Sequence, residues 1–91
     1  MTASVGINQL VEMCRPIFTD AELKEVLHFI EHREAGLALS EAVGVIVEGK
    51  KVISQELKDL ITQLFLLMDG HEDPFWQKIK LWDHIQALKT S

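Results

Sequence analysis

Basic residues are scarce in the first half of this chain, and much else is missing from all of it. There is a single cysteine, so no intrachain disulfide can form and nothing calls for an oxidising compartment. No apolar run approaches the ~20 residues that a membrane-spanning helix needs. No basic start is followed by an apolar stretch, so no signal peptide is expected. There is no Gly-rich phosphate loop, no G-x-S-x-G and no Cys/His dyad, which removes the common signatures of nucleotide binding and nucleophilic catalysis. Internal repeats, low-complexity tracts and the period-two alternation of strands are absent too. These absences leave a cytoplasmic, soluble protein that acts without enzymatic chemistry, cofactor, metal or membrane as the expectation.

What is present is ordinary for a globular fold: 91 residues, 47% hydrophobic and 25% charged. That length makes one domain, residues 1–91, able to bury roughly two thirds of its unfolded surface. The charge is unevenly placed. Residues 1–49 hold eight acids, Glu12, Asp20, Glu22, Glu25, Glu31, Glu34, Glu41 and Glu48, against three bases, Arg15, Lys24 and Arg33. Residues 50–91 hold six of each, so the whole net charge of −5 belongs to the first half. An acidic balance argues against nucleic acid as a direct partner, because phosphate binding rests on Lys and Arg. It suits a basic protein instead.

The apolar spacing predicts an all-α, single-domain bundle of about five helices, with a monomer expected. Ile7, Leu10, Val11 and Cys14 share a face over residues 3–15, with Ser4 as N-cap and Pro16 as the end. Cys14 on that face reads as a small core residue rather than a reactive thiol. Thr19 and Glu22 form an S/T-x-x-E capping box, and Phe18 with Leu23 can staple it. The following stripe is Leu23, Val26, Leu27 and Ile30. From Glu34 the stripe is Ala35, Leu39, Ala42, Val43 and Ile46. At about 100° per residue Leu39 is rotated roughly 160° from Leu23, so a straight helix cannot bury both. A break is therefore expected between His32 and Gly36, with Gly36 letting two backbones approach and Gly49 ending the next helix.

Ser54 is the expected cap of a fourth helix with Leu57, Leu60, Ile61, Leu64 and Met68 inward. Its end, LFLLM, is apolar all round and is expected to be the most enclosed element. Asp69–Asp73 is a polar turn. Asp73 and Pro74 then open one last helix with Phe75, Ile79, Trp82 and Ile85 inward and Trp76 toward an edge. Lys89–Ser91 is expected to fray.

Two patterns bear on function. His28-Phe29-Ile30-Glu31-His32 matches H-x-x-E-H, in which two histidines one turn apart grip Zn²⁺ and the glutamate acts as base. No third ligand is evident, and exposed histidines are the ordinary reading. Glu34, Glu41 and Glu48 recur every seven residues, nearly two turns, and so align as one acidic row. A solvated face is the bland reading of such a row. No Lys or Arg lies between Glu34 and Glu48 to relieve it, which favours a partner that brings positive charge.

The segment Glu34-Ala35-Gly36-Leu37-Ala38-Leu39 carries a resemblance. A helix ending in Glu31-His32-Arg33, then E-x-G-L-A-L, then an apolar helix with Glu48, an Ile53-Ser54 start and a helix ending in Leu64 and Met68 resembles the small helical immunity proteins of bacterial polymorphic-toxin systems. The MafI-type family and the related CdiI-type proteins of contact-dependent growth inhibition are the nearest pattern. The likeness covers about Phe18 to Met68. It implies a non-enzymatic antitoxin that binds a cognate toxin domain, commonly a nuclease, in the cytoplasm. The charge pattern names the expected toxin-binding residues as Glu34, Glu41 and Glu48, with Glu31 and Phe29 near one end and Asp69–Asp73 as a second surface. The alternative is a helical adaptor or regulatory subunit of another cellular protein.

Overall fold

A computed structural model describes residues 1–91. Six α-helices follow in order: α1 (Ala3–Cys14), α2 (Asp20–Glu31), α3 (Ala35–Glu48), α4 (Gln55–Leu67), α5 (Pro74–Lys78) and α6 (Leu81–Gln86), with a 3-10 turn at Gly70–Glu72. One cluster of 21 buried apolar residues, drawn from every part of the chain, forms the core, and no polar side chain is buried with it. The fold is all-α, as the periodicity predicts. No helix is long and apolar enough to cross a membrane.

The local start signals act as their chemistry dictates. Glu22 N–H donates to Thr19 Oγ1 at 3.2 Å and Thr19 N–H to Glu22 Oε1 at 2.9 Å, a complete capping box. Ser54 Oγ accepts from Leu57 N–H at 3.1 Å. Asp73 Oδ1 accepts from Trp76 N–H at 3.0 Å, with Pro74 at the first helical position. The cap of α1 is Thr2 rather than Ser4. Thr2 holds the extended conformation a cap needs and accepts from Val5 N–H, while Ser4 already lies inside the helix.

The break near Arg33 is real. Arg33 takes φ 58°, its N–H reaches Ile30 O at 3.0 Å, and Glu34 N–H reaches Phe29 O at 2.8 Å. This is a Schellman ending with arginine in the left-handed position. The same device ends α3. Lys50 takes φ 50°, and Lys51 N–H bonds Ile46 O at 2.9 Å. Gly49, expected as the stop, sits one residue early with φ −80°. Gly36 also has a different role. A Cβ there would come within 3.2 Å of the Trp76 ring, so the missing side chain makes room for tryptophan and not for the α2 backbone.

The C-terminal third departs most from expectation. The single last helix is two, broken at Lys80 with φ 55°. The break shifts the inward register. Trp76, Leu81, Ile85 and Leu88 are buried, Trp82 is half-buried, and Phe75 is 49% exposed. The end of α4 is not enclosed all round either. Phe65 is buried, but Leu66 and Leu67 are 50% and 45% exposed, because α4 offers one face to α1 and another to α6 and leaves an outward arc free. Lys89–Ser91 is not frayed. Ile53 N–H donates to Lys89 O at 3.0 Å and Ser91 N–H to Ile53 O at 3.1 Å. Lys58 Nζ adds bonds to Gln86 O at 3.0 Å and Leu88 O at 2.9 Å, a cation on the carbonyls that end α6.

Candidate protein-binding surface

The capping box and the Arg33 turn fold α2 back beside α3. α3 buries its stripe and α2 packs its own against the core, with Val26 fully buried, so their polar flanks meet at the surface. Between them runs an open furrow of about 480 Å³ whose walls carry Glu22 and Glu25 from α2 and Glu41 and Glu48 from α3. Four carboxylates thus share one depression. The chain forms two ion pairs, Arg15–Glu12 at 3.0 Å and Lys51–Glu22 at 3.4 Å. Only the second reaches the furrow, and it occupies Glu22. Glu25, Glu41 and Glu48 meet no cation of the chain. Lys51 Nζ also lies 5.9 Å from the centre of the Phe18 ring.

Glu22 differs from its neighbours electrostatically. The backbone N–H of Thr19 beside it, with help from Lys51, holds its carboxyl below the usual carboxylate range. Glu22 is thus a structural carboxylate, busy at the helix start. The other three are the available charge.

The seven-residue row does not form as expected. Glu34 lies at the cap position with φ −109° and ψ 64°, outside the helix, so its side chain does not continue the line of Glu41 and Glu48. Glu41 is half-buried and Glu48 exposed, both in the furrow. Glu31 and Glu34 are exposed at the hairpin turn, with Phe29 half-buried against the core beneath them. The residues sequence reasoning missed are Glu22 and Glu25. Their signal is the i,i+3 spacing on α2, which becomes informative once the hairpin sets that flank against α3.

The other candidates resolve more simply. His28 and His32 do share a face, with ring centroids 4.4 Å apart, and His32 Nδ1 donates to His28 O at 2.9 Å. No group of three or more His, Cys, Asp or Glu side chains is placed to hold a metal ion. Cys14 is buried, and desolvation pushes its thiol up to about 12, far from a reactive thiolate at neutral pH. In the Asp69–Asp73 segment Asp73 is used as a cap and His71 packs edge-on against Phe65 and Trp82, at 5.0 and 4.7 Å between centroids. Phe65 also stacks on Trp76 at 5.5 Å, so this corner is a packed aromatic cluster. No family model, curated protein or solved structure matches the chain.

Proposed function

We propose that this protein is an immunity protein: a binding inhibitor that neutralises a basic toxin domain, a nuclease of a polymorphic or contact-dependent system. The observation that carries the reading is the furrow between α2 and α3, where Glu25, Glu41 and Glu48 stand together without a cation. Like charges in one depression weaken a fold slightly, and the core gains nothing from them. They raise the association rate with a positive surface, by a factor that reaches 10–10³ when the field is focused. A nuclease cleft is positive because its substrate is a polyphosphate. The E-x-G-L-A-L segment, which runs from the hairpin turn into α3, supports the specific assignment.

The test is complex formation with the C-terminal domain encoded next to this chain, followed by assay of that domain's nuclease activity. The expected result is a 1:1 complex that abolishes the activity. No complex at low salt contradicts the proposal.

A further inference from the structure

The outward face of α3 separates two depressions. On one side lies the acidic furrow. On the other, a groove of about 290 Å³ runs between α3 and the α5–α6 segment, floored by Val43, Val47, Ile79 and Leu81 with His84 on its rim. Glu48 lines both. Ser40 and Gly44 belong to the α3 wall of the groove, and Leu37 and Val47 on the same helix are 37% and 38% exposed.

Gly44 is the anomaly. It sits inside the 14-residue helix α3, where glycine is the poorest former after proline. Its φ is not positive. A Cβ placed there meets nothing within 4 Å. Elsewhere the fold requires its glycines: a Cβ on Gly6 would strike Leu64, on Gly36 would crowd Trp76, and on Gly70 would strike Phe65. Neither backbone conformation nor internal packing accounts for Gly44. A glycine in the helical wall of an open apolar groove lets another backbone approach closely.

We infer that a helix of the partner crosses α3 at Gly44. It is amphipathic: its apolar row lies in the groove against Val47, Ile79 and Leu81, and its Lys or Arg residues, on the flank toward α2, reach Glu41 and Glu48. Beyond Val47 and His84, which it shares with the groove, lies a further depression lined by Lys50, Lys51 and Lys89, which repels a uniformly cationic occupant. Basic residues therefore belong on one flank only. The inference rests on the reading that the partner is a basic protein, and it names the element and the crossing point.

The experiment uses the full ¹⁵N-labelled chain and three synthetic helical peptides. The first has Leu at every third or fourth position, Lys along one flank and Gln elsewhere. The second replaces Lys with Glu, and the third replaces Leu with Ser. The first is expected to move the amide signals of Ser40, Gly44, Val47 and His84, and the other two to leave them in place. Gly44→Ala is expected to raise Tm by about 4 °C or more, as a helix-interior glycine replaced without a clash should. It should also weaken the first peptide about fivefold or more. Gly44→Leu, with Tm no lower than that of the parent, is expected to abolish binding. Unmoved amides with the first peptide, equal binding of the Ser-substituted peptide, or unchanged affinity in Gly44→Leu overturns the inference. A toxin domain that binds parent and Gly44→Leu alike removes the crossing point and leaves the inhibitor reading standing. Peptide binding at Gly44 without toxin binding does the reverse.

Discussion

The α2–α3 hairpin and the segment from α4 to the C-terminus use their charged groups differently. In the C-terminal region several polar side chains are tied into the fold by hydrogen bonds to the backbone. Lys58 holds the carbonyls of Gln86 and Leu88, Asp73 caps α5, Ser54 caps α4, and Gln77 Nε2 donates to His71 O. In the hairpin the helix-start carboxylate, Glu22, is engaged, and Glu25, Glu41 and Glu48 are left without a cation. One region is held together partly by its polar groups. The other is held by its apolar stripe and presents its charge outward. A charge that contributes nothing to its own fold is where a partner's charge can be met.

That contrast can be broken or sharpened by substitution. Trp76→Ala should be the most damaging change, costing about 3–5 kcal/mol by chemical denaturation, because it empties the space over Gly36 and beside Phe65. Phe75→Ala next to it should stay within about 1 kcal/mol, since Phe75 faces solvent. Equal effects would mean the last two helices carry the other register. Lys58→Met should cost about 1.5–3 kcal/mol, the range for bonds to a charged group, and should speed amide exchange at Ile53 and Ser91. Lys50→Gly and Lys80→Gly should each stabilise by about 1 kcal/mol, because both lysines occupy left-handed backbone that glycine adopts without strain.

The smallest stability change is expected where the functional change is largest. Replacing Glu25, Glu41 and Glu48 together by Gln should leave stability within about 0.5 kcal/mol or raise it slightly, as the removal of unrelieved like charges predicts. Glu22→Gln should behave in the opposite sense. The folded carboxyl titrates below its unfolded value of 4.5, so its contribution is complete above that pH and is lost as pH falls through the folded value. In thermal melts the difference between parent and Glu22→Gln should therefore be full at pH 7 and shrink progressively as pH falls below 4.5. A constant difference across that range would remove the capping carboxylate from the account.

The hairpin was legible in the sequence because its signals are local. A capping box, a staple residue and a 160° jump between stripes need no knowledge of the rest of the fold. The end of the chain was less so. No glycine or proline marks residues 79–81, where left-handed Lys80 separates buried Trp76 from buried Leu81 and Ile85. The exposed arc of Leu66 and Leu67 has a similar origin, since composition alone does not say how many neighbours a helix will have. The acidic surface was half legible. Glu41 and Glu48 lie where their spacing puts them. Glu34 falls outside the helix, and the contribution of Glu22 and Glu25 depends on a hairpin contact that only the tertiary structure supplies.

The most direct test is the association rate of the chain with the neighbouring toxin domain, followed by stopped flow from low to physiological salt. The account predicts a rate that falls steeply with ionic strength. It predicts a drop of at least tenfold at low salt when Glu25, Glu41 and Glu48 become Lys, with the dissociation rate changed far less. A rate indifferent to salt, or one that survives the triple charge reversal, would contradict it.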